Sequence, residues 1–247
     1  MQPALADQLN WVLTDRSKAA FLSPQPSVPF VSSETPAATA TASPNTRRRD
    51  DDADIVVVRS ATLLQEIYGF GGALTESSAS VFEKLTPGAQ ARFLEAYYGD
   101  TGHRYTMART HIGSCDFSLD YYAYQSQKDD FNMTTFNMTR DHQRLIPFIK
   151  RVQAAIAGRN ATGAAATTAA DPGLRIVSSP WSPPGWLKTC DQRFCLVDCG
   201  LRQEETDKPY RSAYALYISK YLDEMAANGI KPWAITPQNE PLVSHSH

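Results

Sequence analysis

From residue 66 onward, short apolar runs alternate with helical stretches, and this alternation constrains the chain more than any other feature. The first run ends in Tyr68-Gly-Phe-Gly-Gly72 and the second lies near Tyr105 to His111. The third is Leu174 to Ser178 and the fourth Trp233 to Thr236. Strands that alternate with helices form βα units and a parallel sheet. Four such units are half of an eight-stranded barrel, so the expected fold class is α/β, a partial barrel over residues 66–247.

Three helices are legible between the strands. Tyr210, Tyr214, Tyr217, Tyr221 and Met225 recur three and four apart, which predicts a helix from about Pro209 to Asn228, stopped by Asn228-Gly229. Thr86-Pro87 is a favourable cap and first-turn pair, and that helix closes near Gly99. Leu145, Ile149, Val152 and Ile156 predict a third helix over about 141–157, which Pro147 confines to its first turn or kinks. Residues 158–173 are an Ala-, Thr- and Gly-rich connector of the kind surface loops tolerate at small cost.

Residues 1–65 read as a separate unit. Trp11-Val-Leu13 and Ile55 to Val58 are short β-branched runs suited to a small accessory sheet, and residues 23–50, rich in Pro, Ser, Thr and Ala, read as a linker. The formal net charge is −2, and the one basic run, Arg47 to Arg49, is answered at once by Asp50 to Asp52. Nothing here points to a nucleic-acid partner. No apolar run approaches the roughly 20 residues of a membrane span, so membrane contact is expected to be peripheral. Residues 1–15 lack a basic start and an apolar core, and no signal peptide is visible as written.

Cys190, Cys195 and Cys199 crowd one loop, leaving a disulfide with free thiols or an incomplete metal site as readings. Asn132, Asn137 and Asn160 each begin an N-x-[ST] triplet in polar sequence, which suits glycosylation in the secretory pathway.

The residues that carry chemistry stand where strands end. In Trp233-Ala-Ile-Thr-Pro-Gln-Asn239-Glu240-Pro241, a carboxylate follows an apolar strand, the rim position where barrel enzymes keep catalytic groups. Glu240 is the candidate general acid/base, held extended by Pro241. Ser178-Ser-Pro-Trp181-Ser-Pro-Pro-Gly-Trp186 is a stiff loop whose indoles suit a sugar ring, the alternative being core packing. The glycines of Gly69-Phe-Gly-Gly-Ala-Leu-Thr-Glu76 permit close approach of backbone to ligand. Glu76 either binds hydroxyls or favours the next helix start. Arg109 is placed to pair with carboxylates, and Asp116 to hold Arg109 or the catalytic loop. His111, His245 and His247 show no metal-ligand spacing.

These motifs, together with Ser114-Cys-Asp-Phe-Ser and Trp186-Leu-Lys-Thr, resemble glycoside hydrolase family 30, and within it the glucosylceramidase branch. The resemblance covers about residues 66–247 and, weakly, the head. It implies a (β/α)8 TIM barrel with an accessory β-domain, retaining hydrolysis of glucosylceramide to glucose and ceramide, and no metal or organic cofactor. It further implies lysosomal or secreted residence.

By the same resemblance Glu240 is the acid/base, Asn239 contacts the sugar 2-hydroxyl, Trp181 lines the glucose site and Glu76 stands where some relatives bind distal hydroxyls. The family's nucleophile, a Glu at the end of the seventh strand, has no counterpart here. The chain is therefore expected to be an inactive fragment, aggregation-prone or dependent on a partner. The alternatives are a β-1,6-glucanase or xylan-active relative, and a non-catalytic glycolipid-binding fragment.

Overall fold

The structure is a computed structural model, and it describes residues 8–9, 12–15, 20–24, 26, 28–29, 63–161, 173–192 and 199–241. The chain divides into two compact units, Met1–Leu63 and Leu64–His247.

In the first unit, β1 (Gln8–Leu9) pairs antiparallel with β4 (Val28–Pro29), and β2 (Val12–Asp15) with β3 (Ala20–Pro24). The second ladder runs Val12↔Pro24, Leu13↔Ser23 and Asp15↔Ala20, with a register irregularity between Leu13 and Asp15. The span read as a linker, 23–50, thus opens with the end of β3 and with β4. Pro24 and Pro29 sit at strand ends, where a missing N–H breaks little of a ladder. The remainder of that span, and the run Ile55 to Val58, lie outside the described residues.

The second unit is an α/β layer. Its strands β5 (Gly71–Ala73), β6 (Met107–Ile112), β7 (Arg175–Pro180) and β8 (Ala234–Ile235) form one parallel sheet in sequence order. Helices α1 (Glu76–Lys84) and α2 (Pro87–Tyr98) connect β5 to β6, α3 (Thr139–Gln143) and α4 (Leu145–Ala161) precede β7, and α5 (Tyr210–Ala227) precedes β8. All four expected strands and the three expected helices are present. The predicted 141–157 helix is two pieces, broken at Arg144, and Pro147 falls in the first turn of α4 because its missing N–H has no partner there anyway.

The pleat sorts β6 and β7 into two faces. Ala108, Thr110 and Ile112 alternate with Met107, Arg109 and His111, and Ile176 and Ser178 alternate with Val177 and Ser179. Ile176 and Ile112 are buried, and the Ser178 hydroxyl meets the Tyr221 hydroxyl of α5 at 2.9 Å, so this face carries the helices. Arg109, His111, Val177 and Ser179 therefore line the inner face. On the helix side, Tyr217 and Tyr221 are fully buried and stack on Tyr124, and the Tyr217 hydroxyl accepts the Tyr124 N–H at 3.2 Å.

Glycine has a definite job at Gly71. A Cβ there would lie 1.7 Å from the Met107 carbonyl oxygen, so β5 approaches β6 at a distance no side chain permits. The close approach expected of these glycines is to the neighbouring strand. Among the described residues β8 is the last strand of the sheet, with Ile235 46% exposed and Trp233, just before it, 50% exposed.

Candidate active site

Arg109 gathers the rim residues. Its Nη2 donates to Asn239 Oδ1 at 2.8 Å and its Nε to Ser179 Oγ at 3.1 Å, while its guanidinium carbon lies 4.5 Å from the Trp181 ring centroid. The planar fork of Arg suits two acceptors and an aromatic face at once. Asp116 is exposed and takes no part in this arrangement; of the two roles open to it, pairing with Arg109 is not seen, and Arg109 instead pairs across β6, β7 and the segment after β8.

That segment is zipped along the end of β7. Thr236 N donates to Ser178 O at 3.0 Å, Thr236 Oγ1 to Ser179 Oγ at 2.8 Å, Gln238 Nε2 to Trp181 O at 2.5 Å and Asn239 N to Pro180 O at 2.8 Å. Glu240 follows, exposed, with φ +46°. The extended conformation expected before Pro241 is not adopted. A left-handed glutamate costs on the order of 1 kcal/mol, and the hydrogen bonds on its N-terminal side hold the chain that delivers it.

Replacing Arg109 with Lys keeps the charge and loses the fork. We expect the segment at Asn239 to loosen, with little change in melting temperature. Amide hydrogen exchange over residues 236–241 and a thermal melt on the same preparation check both parts.

The two tryptophans of the loop after β7 part company. Trp186 is a core residue: its Nε1 donates to Gln125 Oε1 at 2.6 Å and its ring meets Phe131 edge-on at 5.3 Å. Trp181, 8% exposed, packs under Arg109 on the inner side.

Glu76 is 1% exposed at the start of α1, behind the capping-box residue Thr75. Arg140 grips its two oxygens at 2.7 and 3.1 Å, and the Leu119 N–H donates to Oε2 at 2.9 Å. Burial raises the Glu76 pKa, but the Arg140 and Leu119 hydrogen bonds outweigh it and hold the carboxyl below its usual range.

Around this pair lies a cluster drawn from positions distant in the sequence. His111, fully buried on the same strand face as Arg109, accepts the Glu76 N–H on Nε2 at 3.0 Å, which leaves its proton on Nδ1, directed at Gly113 O. Asp141 accepts the hydroxyls of Tyr122 and Tyr124, each at 2.6 Å, and burial pushes its pKa up. The two-residue spacing of Arg109 and His111 on one strand was the available clue to His111.

Cys190 and Cys199 form a disulfide, which disposes of a zinc site built on both; Cys195 lies outside the described residues, and Cys115 is a buried free thiol. Among the described residues no group of three or more His, Cys, Asp or Glu is placed to hold a metal, and no helix is long and apolar enough to cross a membrane.

A parallel βα layer with an Asn-Glu pair at the end of a strand and a tryptophan beside it defines a barrel of the glycosidase type. Residues 67–247 match the glycosyl hydrolase family 30 TIM-barrel domain, and the chain belongs to that family. It is 30% identical over 180 residues to the lysosomal acid glucosylceramidase of Mus musculus, covering 72% of this chain and 32% of that protein. To an endo-1,6-β-D-glucanase of Neurospora crassa it is 32% identical over 188 residues, covering 74% and 35%. The crystal structure of SrfJ from Salmonella typhimurium superposes with a TM-score of 0.68 at 28% identity, over 97% of this chain and 44% of that one. The chain thus spans about a third of the length of the curated relatives it matches.

Proposed function

We propose that this chain carries the acid/base half of a retaining β-glucosidase that hydrolyses glucosylceramide to glucose and ceramide. The observation that carries the reading is the Arg109 bridge, which joins Asn239, Ser179 and Trp181 immediately before Glu240.

In the reaction proposed, the Glu240 carboxyl donates its proton to the departing ceramide oxygen as the glycosidic bond breaks. A second carboxylate, about 5–5.5 Å away in retaining enzymes, attacks the anomeric carbon and forms a glycosyl ester. Glu240, now ionised, takes a proton from water, which hydrolyses that ester and frees β-glucose. Asn239, fixed through its Oδ1 by Arg109, keeps its amide N–H groups for the sugar 2-hydroxyl. Trp181 walls the glucose site. Glu76 would reach distal hydroxyls only by sharing oxygens already held by Arg140.

No residue of the 247 is assigned as the second carboxylate, so residues 1–247 alone are proposed to lack turnover. Lysosomal or secretory residence and peripheral contact with lipid belong to the same reading. It is supported by the mouse relative's name and by the disulfide, a bond of oxidising compartments.

The similarity to the Neurospora crassa glucanase favours a second reading, hydrolysis of β-1,6-glucan, at comparable identity. Turnover of glucosylceramide and of β-1,6-glucan by a polypeptide joining residues 1–247 to the strand that bears the second carboxylate separates the two. Faster turnover of glucosylceramide supports the ceramide reading, and faster turnover of glucan replaces it. Hydrolysis by residues 1–247 alone would contradict the missing-carboxylate account.

A further inference from the structure

We propose that Asn132 is a site of N-linked glycosylation, on an exposed turn where the fold tolerates a glycan. The proposal rests on the secretory residence proposed above.

Asn132-Met-Thr134 has the acceptor pattern, with no proline at its centre. Asp130 closes the loop that bears it. Its Oδ1 accepts the N–H and hydroxyl of Thr134, both at 2.9 Å, and its Oδ2 accepts the N–H and hydroxyl of Thr135 at 2.9 and 2.8 Å. Gln125 Nε2 adds a fifth donor at 3.2 Å.

The residues on either side of Asn132 point inward. Phe131 meets Trp186 and Tyr210 edge-on, each at 5.3 Å. Met133 is fully buried, and its φ of +52° turns the chain sharply at that point. Asn132, between two anchored side chains, is left exposed, and among the described residues its side chain is hydrogen-bonded to none. A glycan there projects into solvent and displaces no contact.

The sequon Thr134 hydroxyl belongs to Asp130 in the fold, but attachment precedes folding, so the folded state decides only whether the sugar is tolerated. Asn137, the neighbouring sequon, differs. Its Oδ1 accepts the Thr139 N–H at 2.7 Å, its own N–H donates to Tyr124 O at 2.7 Å, and it lines a cavity of about 670 Å³ beside Arg140.

The loop lies beside the disulfide that supports the proposed residence. Lys128 Nζ lies 3.4 Å from Asp191 Oδ2, next to disulfide-bonded Cys190, so the sequon loop and the disulfide loop are neighbours in the fold.

The test is peptide mapping of the protein purified from the cells that make it, with thiols blocked before lysis. Treatment with peptide N-glycosidase F in heavy-oxygen water should convert Asn132 to labelled aspartate, with Cys190 and Cys199 recovered as a disulfide. The Asn132→Gln variant, which leaves the Asp130 bonds in place, should lose one glycan's mobility shift and keep the parent's melting temperature. An oxidised Cys190–Cys199 pair with unlabelled Asn132 overturns the proposal and leaves secretory residence standing. Reduced cysteines with unlabelled Asn132 overturn both.

Discussion

The Glu240→Gln variant is expected to lose between about a hundredfold and ten-thousandfold of kcat/KM toward glucosylceramide, the range a positioned general acid supplies. Ceramide is a poor leaving group, because its alkoxide must be protonated as it departs. An aryl glucoside with an acidic phenol needs little such help, so formation of the glycosyl ester from it should slow far less. The variant should therefore show a steep dependence on leaving-group acidity where the parent shows a shallow one. Both series are read from kcat/KM in a polypeptide that also contains the second carboxylate. Equal losses for all leaving groups would assign Glu240 a role in holding the site together rather than in proton transfer.

The second large effect is on stability. Arg140→Ala strips Glu76, 1% exposed, of the partner that grips both its oxygens and leaves only the Leu119 N–H. Breaking a buried ion pair from one side costs about 3–5 kcal/mol. The lower end applies here, about 3 kcal/mol, because the Arg140 side chain keeps 29% exposure and is partly screened. Glu76 has a lowered pKa in the fold, so its stabilisation is present above the ordinary glutamate value of about 4.3 and is lost as pH falls through the lowered folded value. In Arg140→Ala, burial is opposed without the help of the Arg140 hydrogen bonds, so the Glu76 pKa rises relative to the parent. The deficit relative to the parent should thus be largest near neutral pH and shrink below about pH 4. Urea unfolding of both proteins across that range measures it. A deficit independent of pH would place the loss in the Arg140 stem, whose guanidinium carbon lies 4.3 Å from the Tyr122 ring centroid.

What could be read from the sequence follows from how local each cause is. The strands at Met107–Ile112 and Arg175–Pro180 were legible from short apolar or β-branched stretches, such as Ile176-Val177, standing between helical segments. The tyrosine stripe of α5 was equally plain, since 3.6-residue periodicity survives whatever the helix packs on. The break at Arg144 was not legible, because Leu145, Ile149, Val152 and Ile156 all lie on its C-terminal side, within α4, and their spacing says nothing of where the helix begins.

At the rim, the Asn239-Glu240 pair followed from its strand. The residues that fix it are distant in sequence: Arg109 reaches Asn239 across 130 positions and Arg140 reaches Glu76 across 64. Trp181 and Trp186 are chemically alike, and only the turn between them sends one under Arg109 and the other into the core. The φ of +46° at Glu240 runs against the preference of a residue before proline, a local rule overridden where the chain is anchored to Pro180 and Trp181.

The most direct test of Glu240 as the acid/base of a retaining site is azide rescue of Glu240→Ala in a polypeptide that carries the second carboxylate, with an activated aryl β-glucoside as substrate. Removing the base strands the glycosyl ester, and a small anion that needs no deprotonation can enter the space left by the carboxyl. Azide should accelerate turnover, and the product identified by NMR should be β-glucosyl azide. Formation of α-glucosyl azide, or no acceleration by azide, would contradict that assignment.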